Sequence, residues 1–475
     1  MKPFKKKQSR QITLPLYKLL IILFVTVLLT AVVSYASYKF GLYFGNDQQK
    51  ELNKIEEAYK QINNDYYKDV DDDKLTQGAI DGMIKSLDDP YSEYISAKDT
   101  TSYNEEISGD FVGIGAEMEM HDGYVRITSP MKDSPAEKAG VKSLDVITKV
   151  DHESIKNKSL NEIVNKVRGK KGTTVTLTIK REGKEPFDVK IKRDKIHLTS
   201  VDYTKKKDTG IIAISKFQNK TTKELQSALK QAKKDKVKHV VLDLRNNPGG
   251  LLDEVVTSVN LFVDKNKPVI YLETKGDKPQ AVETENDKMS GIGDMDYTVL
   301  VNKGSASAAE IFAGALQDYK IADVLGTTTF GKGIGQVHKE FSDSSILKYT
   351  NMRWLTPNKS YIHKKGIQPD KTIKAPKYEE IEIIDPSKTY QEGDQSKEIK
   401  SIKIGLNALG YNINNENDQF DAQLTSQVKS FQSDHDLTEN GIFTDDTTKK
   451  FIELLRKKIR SEDKQLDEAI QYMHK

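Results

Sequence analysis

The 475-residue chain carries 36% hydrophobic and 31% charged residues, the balance of folded domains with ordinary cores, and its length suits roughly two to four of them. Lys+Arg 74 against Asp+Glu 71 leaves a net charge of +3, so no electrostatic surplus marks a nucleic-acid binder. The absence of cysteine excludes disulfides and thiol catalysis and removes the commonest structural zinc ligands.

The amino-terminal pattern predicts a membrane anchor. Lys2, Lys5, Lys6, Lys7, Arg10 and Lys18 precede an apolar or weakly polar run over residues 19–36. Eighteen such residues are about enough to cross the hydrocarbon core. The basic flank stays cytoplasmic, which puts everything after residue 40 outside. A cleavable signal peptide is the rival, because Ser34-Tyr35-Ala36 offers small residues at suitable offsets. The run is long for a signal segment, and an uncleaved anchor is favoured.

Residues 45–108 read as helical, with Leu52, Ile55, Ala58, Tyr59 and Ile62 at helical spacing, and Ile80, Met83, Ile84 and Leu87 likewise. Asp88-Asp89-Pro90 stops that pattern. Short strands follow over 112–118, 124–127, 145–150 and 175–179, with helical pieces at 135–139 and 160–167, which predicts a small β-rich domain over 109–196. From 197 to 375 strands (211–217, 240–244, 269–274, 297–301) alternate with helices (222–234, 251–262, 307–319). This rhythm predicts an α/β core with a mostly parallel sheet. Residues 376–395 read as a linker, 396–455 as a compact all-α module and 456–475 as a charged helical tail.

Ser307 lies between alanines where strand 297–301 gives way to a helix, a position that suits a nucleophile better than a packing residue. No histidine lies near it in sequence, so Lys332, in Phe330-Gly331-Lys332-Gly333, is the leading candidate base. A solvated lysine is protonated at neutral pH, and burial favours the neutral form that a base requires. Gln336 begins an extended segment from which its side chain can hold the amine. The helix after Ser307 turns backbone N–H groups towards developing negative charge, so the Ala308 amide is a candidate oxyanion donor. Gly249 and Gly250, after strand 240–244, are candidates for the second donor, since ligands gather at the carboxyl edge of such sheets.

Gly326-x-x-x-x-Gly331-Lys332-Gly333 imitates a phosphate-binding loop but lacks the Ser or Thr that follows the lysine, and strand continues where a helix is needed. The histidines at 121, 152, 197, 239, 338, 363, 435 and 474 show no paired ligand spacing, and no metal or other cofactor is expected.

At these residues the chain resembles the C-terminal processing peptidases, or tail-specific proteases. The resemblance runs from about residue 50 to 375. It rests on Asp89-Pro90-Tyr91-Ser92-x-Tyr94, Gly113-Ile114-Gly115, Asp243-Leu244-Arg245-x-Asn247-Pro248-Gly249-Gly250, Gly304-Ser305-Ala306-Ser307-Ala308, Phe330-Gly331-Lys332-Gly333 with Gln336, and Gly366-Ile367-x-Pro369-Asp370. It implies a crotonase/ClpP-like protease core with Ser307 as nucleophile, Lys332 as general base and Gln336 orienting the lysine. The 25-residue serine-to-lysine spacing selects Ser307 over Ser305. The inserted β-rich domain is similar to a circularly permuted PDZ domain, whose carboxylate-binding loop falls on Val112, Gly113, Ile114 and Gly115. Arg168 matches a position that couples peptide binding to active-site assembly in some relatives.

The helical module resembles peptidoglycan-binding repeats through Leu406-x-x-Leu409-Gly410-Tyr411, Val428-x-x-Phe431-Gln432 and Leu437-x-x-x-Gly441 with Asp446-Thr447. Together these resemblances imply a single-pass endopeptidase on the outer side of the membrane of a Gram-positive-type bacterium. Its partners would be protein substrates with accessible C-terminal tails, peptidoglycan through the module, and a second copy through the terminal helices; no nucleic acid is expected. The rival class is a non-catalytic adaptor, which has little reason to keep Ser307, Lys332 and Gln336 together.

Overall fold

The computed structural model describes residues 15–43, 47–382 and 384–474, and divides into two compact units, residues 1–89 and 90–475. The basic residues 2–10 lie outside the described residues. Among the described residues, the first unit holds the helices α1 (Leu16–Tyr43), α2 (Asp47–Asp65) and α3 (Asp72–Lys85). Helix α1 contains a 21-residue apolar stretch, Leu16–Ala36, long enough to cross a membrane. Helix α3 begins where the Asp71 carboxylate accepts from the Lys74 amide and ends before Asp88.

The second unit opens with β1 (Glu93–Ile95), α4 (Thr100–Ser108) and β2 (Asp110–Gly113). The inserted β-rich domain follows: β3 (Ala116–His121), β4 (Tyr124–Pro130), α5 (Pro135–Lys138), β5 (Val146–Val150), β6 (Glu153–Ser154), α6 (Leu160–Val167), β7 (Thr174–Lys180) and β8 (Phe187–Lys192). Its antiparallel sheet runs β3-β4-β5-β7-β8, and alternate residues such as Val125 and Ile127, or Val175, Leu177 and Ile179, face one fully buried core. Ser159 and Glu162 form a capping box that starts α6. Strand β9 (Asp194–His197) pairs antiparallel with β2, so the chain enters and leaves this domain through one two-stranded ribbon.

The core comprises β10 (Val201–Lys206), β11 (Thr209–Ile214), α7 (Thr221–Lys234), β12 (His239–Asp243), α8 (Leu252–Val259), β13 (Pro268–Thr274), β14 (Gln280–Glu283), β15 (Asp296–Val301), α9 (Ala308–Asp318), β16 (Ala322–Gly326), β17 (Ile334–Glu340), β18 (Ile346–Leu355) and β19 (Lys371–Thr372). The main sheet runs β10-β11-β12-β15-β16-β19 and is parallel except for the β10–β11 pair. A second, antiparallel sheet is built from β1, β18, β13 and β14, with β17 on β18. One face of the main sheet, through Ile212, Val240, Leu242, Val299 and Val324, buries against α7–α9 and the second sheet. The opposite face carries Val241, Leu300 and Leu325. Strands covered on both faces explain the near-continuous apolar runs at 240–244 and 297–301.

The remaining helices are α10 (Lys397–Ala408), α11 (Ala422–Asp434), α12 (Asp445–Ser461) and α13 (Lys464–Met473). Helices α10–α12 enclose Ile399, Ile402, Leu406, Leu424, Val428, Phe431 and Phe451, and α10 stops before Gly410 as expected. The segment expected to be a linker contributes Tyr378, Ile384 and Tyr390 to that core. The charged tail is also more than a tail. Leu466, Ala469, Ile470 and Met473 recur at helical spacing on α13 and cover Val241, Leu300 and Leu325 on the main sheet.

Candidate active site

The site forms at the carboxyl edge of the main sheet. Strand β15 ends at Val301, and the turn that follows holds two serines in different states. Ser305 is fully buried; its Oγ donates to the Leu244 carbonyl at 2.8 Å and accepts from the Asn302 amide at 3.0 Å. Ser307 is partly exposed and holds φ +55°, ψ −115°, a sparsely populated conformation for a residue with a side chain. Strain of this kind persists only where the surroundings enforce it.

Glu310 is the enforcing group. Its carboxylate is fully buried and accepts from the amides of Ser307 (2.9 Å), Gly331 (2.6 Å) and Lys332 (2.8 Å) and from Thr329 Oγ1 (2.5 Å). A buried carboxylate requires donors of this number, and these come from both the serine turn and the lysine loop. Gly331 is held at φ +86°, and a Cβ there would lie 2.9–3.1 Å from the amides of Lys364, Lys365 and Gly366. Sequence reasoning assigned Glu310 no role, although Ser307-x-x-Glu310 carries the capping-box spacing that signals it.

Ser307, Ala308, Gly250, Lys332 and Gln336 line one cavity of about 750 Å³. The Lys332 Nζ lies 4.6 Å from the centroid of the Tyr91 ring, a second contact the sequence did not signal. Gln336 Nε2 donates to Thr350 Oγ1 at 3.1 Å, next to a register shift between β17 and β18 that re-aims its strand.

The glycine loop corrects one expectation. The Gly249 amide donates to Asn247 Oδ1 at 2.8 Å and is therefore committed within its own loop. Among the described residues the amides of Gly250 and Ala308 make no hydrogen bond, which leaves Gly250 as the second candidate donor. Gly250 sits at φ +141°, where a Cβ would fall 1.9 Å from the Phe217 carbonyl oxygen.

On the cavity wall, Tyr103 OH and His338 Nε2 are 2.7 Å apart. Burial and the Lys348 charge lower the His338 pKa below its ordinary value. Burial, with Glu93 and Glu106, pushes the Tyr103 hydroxyl up to about 12.

The PDZ-like positions gather elsewhere in this unit. The Arg168 Nη1 donates to Glu105 Oε2 at 2.8 Å, with its guanidinium 5.2 Å from the Phe111 ring centroid. Glu105 Oε1 accepts from the Val112 amide at 3.3 Å. The Ile114 and Gly115 carbonyls accept from Ala136 and Met131, and the Gly113 residue ends β2. Helix α4, which carries Glu105, also sends Tyr103 and Ile107 to the cavity around Ser307.

Comparison with known proteins decides the family. The chain is 52% identical over 472 residues to a probable CtpA-like serine protease of Staphylococcus haemolyticus, covering 98% of this chain and 94% of that protein. The chain belongs to peptidase family S41. It is a serine peptidase with a PDZ domain and a peptidoglycan-binding domain. A probable CtpA-like serine protease of Staphylococcus aureus strain N315 is 53% identical over 468 residues, covering 97% of this chain and 94% of that one. The description "Peptidase family S41" matches residues 208–373, "Activating protease CtpB N-terminal domain" 37–100, "PDZ domain" 112–192 and "Putative peptidoglycan binding domain" 395–451. Among solved structures, a photosystem II D1 C-terminal processing protease is 26% identical, covering 67% of this chain and 92% of that one, with a TM-score of 0.40.

Proposed function

We propose that this S41 peptidase is a membrane-anchored endopeptidase that takes protein tails in its PDZ domain and cleaves with Ser307 as nucleophile and Lys332 as general base. The observation that carries this reading is the shared cavity of Ser307 and Lys332, with both backbones hydrogen-bonded to the one buried carboxylate of Glu310. In the neutral state, the Lys332 amine takes the Ser307 hydroxyl proton as Oγ attacks the scissile carbonyl. The amides of Ala308 and Gly250 receive the oxyanion. Collapse of the tetrahedral intermediate expels the amine, which takes the proton from Lys332, and leaves an acyl-enzyme on Ser307. Water, deprotonated by Lys332, attacks the acyl carbon, and Ser307 Oγ leaves with that proton, which releases the new carboxylate and restores the neutral lysine. Gln336, beside the cavity, orients the lysine.

Helix α1 supports an anchor, with the protease and wall module outside a Gram-positive-type membrane. Val112–Gly115 would receive the substrate's carboxylate, and Arg168 would report its arrival to α4 through Glu105. A homodimer, and the boundaries 109–196 and 197–375 drawn from sequence for the PDZ domain and the protease core, belong to the same proposal. The test uses the full chain in detergent and an unstructured protein substrate with either a free or an amidated C-terminus. Wild type should cleave the free-tailed substrate faster, and Ser307→Ala should cleave neither. Equal cleavage of the two substrates would remove tail recognition; cleavage by Ser307→Ala would remove the nucleophile.

A further inference from the structure

The main sheet brings three ligand-forming side chains together at the edge opposite Ser307. Ser307 follows the carboxyl end of β15, whereas His239 opens β12 and Asp208 immediately precedes β11. The β11–β12 register pairs Thr209 with His239, which sets Asp208 beside that histidine. Helix α13 crosses the sheet and delivers His474 to the same corner, where the two imidazole centroids lie 4.7 Å apart.

The distances suit a small cation. His474 Nε2 lies 3.4 Å from Asp208 Oδ1, and one ligand atom from each of the three residues lies within 4.8 Å of the others. A tetrahedral ion with bonds of about 2.0–2.1 Å holds its ligand atoms about 3.3 Å apart. One pair is therefore at ligand spacing already, and small rotations of the side chains would bring in the third ligand.

A second observation concerns the His239 nitrogen that would face away from the ion. His239 Nδ1 is buried and makes no hydrogen bond, an arrangement that is unfavourable for a polar nitrogen. Asp296 Oδ2 stands 3.4 Å from it. A carboxylate on one ring nitrogen is the usual outer partner of a metal-bound histidine, and it leaves Nε2 for the ion. As the structure stands, His474 Nε2 instead lies 3.2 Å from Thr209 Oγ1, a contact the ion would replace.

We propose that Asp208, His239 and His474 bind one divalent transition-metal ion of the zinc class. Two imidazoles with one carboxylate favour zinc over magnesium or calcium, which take oxygen ligands. The sequence hid the site because its ligands come from a turn, a strand and the end of a helix, with no common spacing. Its consequence is mechanical. Asp463, at the start of α13, is ion-paired with Arg245 beside the Asn247–Gly250 loop, and the ion would fasten the other end of the helix to the sheet.

The full chain, stripped with a chelator and kept in detergent, is titrated with Zn²⁺ and separately with Co²⁺. Wild type should take up one Zn²⁺ per chain with a rise in Tm, and the Co²⁺ adduct should show the visible bands of a tetrahedral site. His474→Gln and Asp208→Asn should each weaken binding by about tenfold or more. In both, the metal-induced rise in Tm should be lost, and His121→Gln, in the PDZ domain, should behave as wild type. Equal uptake and equal Tm rise in all four proteins, or no uptake by wild type, would overturn the site.

Discussion

Glu310 shows how much of the candidate site is held by one buried carboxylate. Its carboxylate receives four donors, two of them from the glycine-flanked loop that carries Lys332. Replacing one oxygen by an amide opposes at least one donor to another, so Glu310→Gln should lower stability by about 1–3 kcal/mol. It should also lower kcat/KM by at least about tenfold, because serine and lysine then lose their common anchor. Denaturant unfolding and peptide turnover on the same preparation check both effects. The neighbouring serines make a sharper pair. Ser305→Ala removes a buried hydroxyl bound to Leu244 and Asn302, and should cost about 1–2 kcal/mol while leaving turnover largely intact. Ser307→Ala should do the reverse. The sequence places both serines in one strand-to-helix turn, and only the serine-to-lysine spacing of the family resemblance favours Ser307 over Ser305. It missed the Glu310 bonds to residues 329–332, which exist only once β16 returns the chain to the sheet edge. It likewise could not separate Gly249 from Gly250, since an Asn247 side chain decides which amide remains available.

Among the elements, α13 departs most from what its sequence suggested. Its apolar residues are spaced for one face, but a charged composition and an unseen partner made it read as a tail. The segment before the helical module misled in the same way, since Tyr378, Ile384 and Tyr390 are too few to mark a packed element. The junction of α13 with the core gives a pH prediction. Burial opposes ionisation of Asp463, but the hydrogen bond and charge of Arg245 prevail and hold its carboxyl below the ordinary 3.8. A carboxyl lowered by folding contributes stability that is complete above its ordinary pKa and is lost as the pH falls through the folded value. Wild type and Asp463→Asn should therefore differ in Tm at neutral pH and converge in strongly acidic buffer. A constant difference across that range would assign the effect to packing instead.

At the scale of the whole molecule, the fold class was legible because each region carries its own periodicity and its own turn residues. The contacts between the PDZ domain and the core were not. Arg168 meets Glu105 on a helix 63 residues earlier, and that helix borders the cavity of Ser307. On the proposed reading, Arg168→Ala should reduce kcat/KM for protein substrates with free tails more than for short peptides that bypass the PDZ domain. Equal losses would make Arg168 a structural residue of the domain.

The central claim is that Ser307 and Lys332 act as one unit. Its most direct test measures turnover of an unstructured protein by full-length wild type, Ser307→Ala, Lys332→Ala and the double variant. Residues of one catalytic unit are strongly non-additive, so all three variants should lose about 10⁴-fold or more, with the double variant no worse than either single one. Near-normal turnover by Lys332→Ala, or losses that multiply in the double variant, would contradict the dyad.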